Sequence, residues 1–291
     1  MEDFCAITLS AMSQAFDVVI FGCGYSGRAI AERARLAGLS VCGTVRSEAR
    51  AEALRAAGFD VVRTETLDAD VARPLVGPKT HAVIAFPPDG VTERAILPVL
   101  ATAAAVTFIS STGVYGGTVG RIDDATPIPA EASASSLRYL AAEAMFREVG
   151  GTTLRCPGIY GPDRGLHVRV ISGQHKIPGN GSRATSRIHI VDLAAFVLAA
   201  RDVRGETFVV GDLTPGPHVE IVRWIAETYR VPMPPSVPLE SVHESLRGDR
   251  RVDPHRAIEM LGVELAFPTF QQGMDPAATG LAVRSAPLDP A

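Results

Sequence analysis

The chain has 291 residues and lacks the features that define several broad protein classes. No apolar run approaches the ~18 residues that a membrane-spanning helix needs. No block of like charges occurs and the formal net charge is only -4, so neither nucleic acid nor a membrane surface is expected as a partner. The four cysteines, Cys5, Cys23, Cys42 and Cys156, form no CxxC pair. There is no HExxH and no His/Cys/Asp/Glu cluster at metal-ligand spacing, so no metal site is expected. The thiols read as reduced side chains of a cytoplasmic protein, with Cys23 and Cys42 acting as small apolar residues in or beside strands. No repeat and no low-complexity tract is visible. The opening MEDFCAITLSAMSQ is acidic where a secretory leader would be basic. Residues 1–14 therefore read as an extension, with Met12 as an alternative start.

What the chain does have is the apolar content of an ordinary globular protein, 46% against 21% charged. Its first half alternates between two periods. Apolar runs at 16–22, 39–45, 59–62, 81–86 and 105–110 read as strands; 25–37, 47–57, 91–103 and 133–149 read as helices. Strands alternating with helices imply a parallel sheet covered on both faces, an α/β fold. TTLRC (152–156) is a sixth strand, after the stop signal Gly150-Gly151. Beyond it Pro and Gly are frequent and elements shorten: strands at 186–190 and 206–210, helices at 191–202, 218–229 and 254–261.

Between the first strand and the first helix stands FGCGYSGRA, with Gly22, Gly24 and Gly27 in G-x-G-x-x-G spacing. The pattern alone is weak, but following a strand and opening a helix is what its mechanism requires. Gly22 permits the tight turn, Gly24 lets backbone approach a pyrophosphate, and Gly27 lets helix and strand pack closely. Tyr25, Ser26 and Gly27 open the helix whose N-terminus favours phosphate. At the end of the second strand an acidic side chain would receive the ribose hydroxyls of NAD. The sequence has Thr44-Val45-Arg46-Ser47 instead, with Arg50 one turn on. A guanidinium forks onto a 2′-phosphate and a serine hydroxyl donates to it. NADP(H) is therefore expected as the preferred cofactor, with NAD(H) as the alternative. The competing view makes Arg46 and Arg50 solvated surface charges.

Further segments carry a resemblance: FISSTGVYG (108–116), LRCPGIYGPDRG (154–165), RIHIVDLAAFVLAA (187–200), FVVGDLTP (208–215) and LGVELAFPTFQQGM (261–274). In order and spacing they resemble the extended or atypical short-chain dehydrogenase/reductase superfamily, in its NAD(P)-dependent epimerase/dehydratase branch. The resemblance implies a Rossmann doubly wound parallel sheet with a smaller C-terminal substrate-binding part. Residues 15–160 would be the dinucleotide-binding domain. Residues 161–275 would be mostly substrate-binding, with elements near 187–215 returning to the sheet, and 276–291 a tail. It implies that Phe86 and Pro87 line the adenine-ribose side, that Pro157 lies near the nicotinamide, and that the protein forms a homodimer through two helices of the Rossmann half.

The family's chemistry uses a Ser or Thr after the fifth strand and Tyr-x-x-x-Lys on the next helix, where the ammonium lowers the phenol pKa. By resemblance Ser111 is the substrate-holding hydroxyl, with Thr112 as helper. The helix reads SSLRYLAAEAMF, and the lysine is absent on either alignment. Aligning Glu143 with the family's final Glu puts Tyr139 at the lysine position and Ser135 at the tyrosine position. Taking Tyr139 as the catalytic Tyr puts Glu143 at the lysine position. Tyr139 is the candidate phenol facing the nicotinamide; the competing view packs it against the sheet. The dehydratases' Asp-Glu pair is replaced by Thr112-Gly113, which disfavours dehydration. Tyr160 and Arg187 are candidate substrate residues, His189 a weaker one, and Asp192 a candidate helix cap. The expected function is an NAD(P)-dependent oxidoreductase or epimerase acting on a small carbonyl or hydroxyl compound or a nucleotide sugar. The alternative is a catalytically degenerate NADP(H)-binding regulator or sensor.

Overall fold

Apolar side chains on both faces make the opening run a fully buried strand, β1 (Val18–Phe21). The computed structural model describes residues 15–242 and 247–281; the expected extension 1–14, with Cys5, and residues 282–291 of the expected tail lie outside the described residues. Helix α1 (Tyr25–Leu36) buries Gly27, Ile30, Ala31 and Ala34, the spacing that puts one helical stripe against the sheet. The alternation continues through β2 (Val41–Val45), α2 (Glu48–Ala56), β3 (Asp60–Arg63), α3 (Ala69–Ala72), β4 (His81–Ile84), α4 (Thr92–Leu100), β5 (Ala105–Ser111), α5 (Ala134–Glu148) and β6 (Thr152–Cys156). Later come α6 (Leu166–Ile171), α7 (Ile190–Ala199), the strand β7 (Thr207–Val209) and α8 (His218–Tyr229).

The central sheet has seven strands in the order β7-β6-β5-β4-β1-β2-β3. Pairs β1–β2, β1–β4, β2–β3 and β4–β5 are parallel. This is the parallel sheet that the alternation implied, in the doubly wound Rossmann order that the resemblance implied. Strand order reverses between β1 and β4, and such folds bind ligands at the carboxyl ends of the strands there. Among the described residues no helix is long and apolar enough to cross a membrane.

The chain forms two compact units interleaved in sequence. Of the described residues, the first comprises those up to Ser111, Ala134–Arg155 and Leu193–Phe208; the second comprises Thr112–Ser133, Cys156–Asp192 and those from Val209 onward. The 15–160 division expected from sequence runs unbroken through 112–133, which here falls in the second unit, and the return to the sheet is Leu193–Phe208. The second unit has its own apolar cluster around Ile221, Ile225, Tyr229 and Phe270. A strand at Val119–Ile122, not expected from sequence, pairs in parallel with Asp249–Val252. At the start of the expected tail the chain is tied down: the Tyr229 hydroxyl donates to the Met274 carbonyl at 2.8 Å and lies 2.8 Å from Thr279 Oγ1.

Candidate functional site

The glycine turn is fastened to the end of β2. The Gly22 N–H donates to Thr44 Oγ1 at 3.0 Å and the Cys23 N–H to the Thr44 carbonyl at 2.7 Å. Gly22 has φ +87°, and a Cβ there would lie 2.8 Å from the Phe86 Cβ, so both conformation and space require glycine. A Cβ on Gly27 would stand 3.0 Å from the Gly22 carbonyl oxygen and from Ile20 Cγ2, the close helix–strand approach expected of the third glycine. Gly24 is different. Its nearest neighbour would be Arg50 Nη1 at 3.7 Å, so the side it leaves bare opens outward. No side chain caps α1, and no acid occupies its first turn.

A cavity of about 370 Å³ stands over this turn within the first unit. Gly22, Gly24, Arg46, Ser47, Phe86 and Pro87 line it, which brings together six of the residues marked for the cofactor in sequence. Tyr25, Ser26 and Gly27 begin α1 beside it. Arg46 and Arg50 are exposed, and among the described residues no carboxylate pairs with either. The acids on the rim are committed elsewhere: Glu65 pairs with Arg63 at 2.7 Å, and Asp89 accepts from the Val91 and Thr92 N–H groups. Ser47 Oγ accepts the Arg50 N–H at 3.2 Å as the cap of α2, leaving its own proton to donate. Cys23 also lines the cavity; burial pushes its thiol up to about 11, so it acts as an apolar wall. These donors and this bare backbone fit a dinucleotide phosphate. Sequence reasoning missed Thr64–Leu67, Asp89 and Thr92 in the lining, since nothing local marks a loop as bordering a site that another strand builds.

At the end of β5 successive side chains point to opposite faces. Ser110 is buried and donates to Glu143 Oε1 at 2.5 Å. Arg155 on β6 grips the same carboxylate twice, Nε to Oε1 at 3.1 Å and Nη2 to Oε2 at 2.7 Å. Glu143 is thus the clasp that ties α5 to two strands. Tyr139, one turn earlier, is half-buried with its ring stacked on Phe108, centroids 6.2 Å apart. Ser135 is exposed and Ser111 half-buried.

The other candidates lie in the second unit. Thr112, Pro157 and Gly158 line a smaller cavity of about 100 Å³ with Thr185, Ser186 and Arg250. Arg187 and Tyr160 are not part of that lining. Arg187 is buried beside Asp212 at 3.6 Å, donates to the carbonyl and hydroxyl of Thr185, and stands over the Phe270 ring. Burial lowers the Arg187 pKa and raises Asp212 to about 6, against the attraction of the pair, so desolvation outweighs pairing here. Tyr160 is buried with its hydroxyl against Gly273, and burial pushes its pKa far above the ordinary phenol value. His189 packs on Phe267, ring centroids 3.8 Å apart, and burial pushes it down to about 4. Asp192 does not precede its helix: α7 starts at Ile190, and the two Asp192 oxygens accept the Ala266 and Phe267 N–H groups.

A doubly wound parallel sheet with a glycine turn at its switch point defines the class: the chain has the fold of the extended short-chain dehydrogenase/reductase superfamily. Its structural neighbours include NAD-dependent epimerase/dehydratase proteins. One, assigned by name to that group, is from Methylobacillus flagellatus; it is 26% identical, with TM-score 0.71, covering 92% of this chain and 98% of its own. A functionally unknown conserved protein from Silicibacter pomeroyi is also 26% identical, with TM-score 0.77 and coverage of 92% and 99%. MoeE5, in complex with UDP-glucose and NAD, is 19% identical with TM-score 0.73, covering 90% of this chain and 97% of its own, a likeness of fold. No family model and no curated protein matches the sequence.

Proposed function

We propose that the protein is an NADP(H)-dependent oxidoreductase or epimerase of the atypical short-chain dehydrogenase type, acting on a small carbonyl or hydroxyl compound. The observation that carries this reading is the cavity over the Gly22–Gly24 turn, with Arg46, Ser47 and Arg50 facing it and no uncommitted acid at the end of β2. The cofactor, once bound, supplies hydride chemistry at its nicotinamide. Gly24 brings backbone close to the pyrophosphate, Arg46 and Arg50 balance a 2′-phosphate, and Ser47 donates to it. Ser111 is the candidate for holding the substrate oxygen. Titration with NADPH and NADH by fluorescence tests the cofactor. NADPH binds at least about ten-fold more tightly, the effect of one charge-assisted contact, and Arg46→Gln removes most of that preference. Equal or tighter binding of NADH overturns it.

One observation favours the regulatory alternative. The helix that carries Tyr-x-x-x-Lys in the family here devotes Glu143 to a structural clasp and Tyr139 to packing on Phe108. Ser111→Ala separates the two. Lost turnover with NADPH binding intact supports the enzyme; unchanged behaviour in every assay supports the sensor.

A further inference from the structure

The small cavity of the second unit contains one charged side chain. Arg250 lies on the strand Asp249–Val252, which runs beside Val119–Ile122. Its guanidinium is half-buried and donates to the Gly116 carbonyl. Among the described residues no carboxylate pairs with it, and the acids around it are occupied. Asp249 accepts the Ala184 N–H, Asp253 holds Arg121 and His255, and Asp124 holds Arg256. Burial lowers the Arg250 pKa with no neighbouring charge to offset it. A cation withdrawn from water without a counter-charge is costly, and an anion that enters beside it relieves the cost.

The rest of the lining suits such an anion. Of its three hydroxyls, two are engaged: Ser186 Oγ donates to the Arg250 carbonyl and accepts the Val252 N–H, and Thr185 Oγ1 accepts from Arg187. Ser186 thereby fixes the backbone that carries Arg250. The Thr112 hydroxyl makes no hydrogen bond to any described residue. A guanidinium and a free hydroxyl lining one cavity are the donor set for an oxyanion. The space is about 100 Å³, against the roughly 300–1,000 Å³ of sites that enclose whole drug-sized ligands.

We propose that this cavity takes a single carboxylate or phosphate group of a small substrate, held by Arg250 and Thr112, and excludes the diphosphate of a nucleotide sugar. That the anion belongs to a substrate rests on the oxidoreductase reading; the anion site itself lies within the second unit and shares no lining residue with the cofactor cavity.

Calorimetric titration of the full chain with inorganic phosphate, pyruvate and UDP-glucose tests it, with NADPH binding measured on every variant. Phosphate or pyruvate binds saturably, and which of them binds tells phosphate from carboxylate. R250Q weakens that binding by at least about ten-fold and T112V by a few-fold, as expected for charged and neutral hydrogen bonds, while R250K retains part of it. NADPH affinity stays at the wild-type value in all three. Absence of binding to both small anions, binding that survives R250Q, or UDP-glucose bound at least about 100-fold more tightly than either, a gap of roughly 2.7 kcal/mol, overturns the proposal. Should R250Q not fold, R250K and T112V carry the test. If wild-type protein binds the anion but never NADPH, the oxidoreductase reading falls and the anion site stands.

Discussion

Three glycines in one turn have three different reasons to be glycine, and each reason predicts a different mutant. At Gly22 the chain adopts φ +87° and a Cβ would press on Phe86. Strain at such a position costs about 1–3 kcal/mol before any collision is counted. Gly22→Ala should therefore lower stability, read as a lower melting temperature, and lose dinucleotide binding with it. Gly24 carries neither burden: its φ is -84°, and a Cβ there would meet Arg50 Nη1 at 3.7 Å and the Gly22 carbonyl oxygen at 3.9 Å, both ordinary contacts. Gly24→Ala should melt within about 0.5 kcal/mol of wild type, as surface substitutions usually do. Its NADPH affinity should nevertheless fall, since the new methyl stands where a pyrophosphate approaches. A Gly24→Ala protein that binds NADPH as tightly as wild type would show that no phosphate passes that face. These roles were legible in the sequence because each depends on local backbone and the adjoining strand. The Phe86 contact was not, since it comes from the next strand of the sheet, some sixty residues on.

Elements formed where local pattern and tertiary demand agreed. The helix expected at 218–229 is α8 to the residue, buried along Ile221, Val222, Ile225 and Tyr229. The strand Val119–Ile122 was invisible because it exposes Val119 and Arg121 and finds its partner some 130 residues later. Its pattern is set by that pairing, which no local window contains. Helix α5 shows the same limit at the candidate site. The sequence shows Glu143 but not its companions, and places it only at the family's lysine or final glutamate position. In the folded protein Arg155 and Ser110 occupy both its oxygens. Glu143→Gln keeps the shape and removes the charge, leaving Arg155 buried without its counter-ion. Breaking a buried pair in this way costs on the order of 3–5 kcal/mol. Urea denaturation should show that loss as a lower midpoint at unchanged slope. A loss under about 1 kcal/mol would mean that the clasp is not what joins α5 to β5 and β6.

Across the whole molecule, buried histidines are unevenly shared between the two units. Burial pushes His81 in the first unit down to about 4, and His175, His189 and His218 in the second to about the same value. His175 and His218 also meet Nε2 to Nε2 at 2.8 Å, a bond that leaves one of them unprotonated. Each group is harder to protonate folded than unfolded, where its value is 6.5, so the unfolded chain takes up the proton first. Their contribution is therefore whole above pH 6.5 and is lost as pH falls toward 4, at up to about 1.4 kcal/mol per pH unit for each group. Asp212 acts in the opposite sense. Burial raises it to about 6, so the folded chain gains stability as pH falls from there toward 3.8. Burial also lowers His167 and raises Asp124 in the second unit, and two raised carboxyls against four lowered histidines leave that unit the more acid-sensitive. Its reporter is built in: Trp224, the sole tryptophan, packs edge-on against Phe270, ring centroids 5.4 Å apart, inside that unit. Between pH 7.5 and 5 the Trp224 fluorescence transition should move to lower temperature further than the circular-dichroism transition, to which the helices of both units contribute. Two transitions that fall together would mean that the units melt as one, and a fluorescence transition indifferent to pH would mean that these imidazoles are reached by water before the chain unfolds.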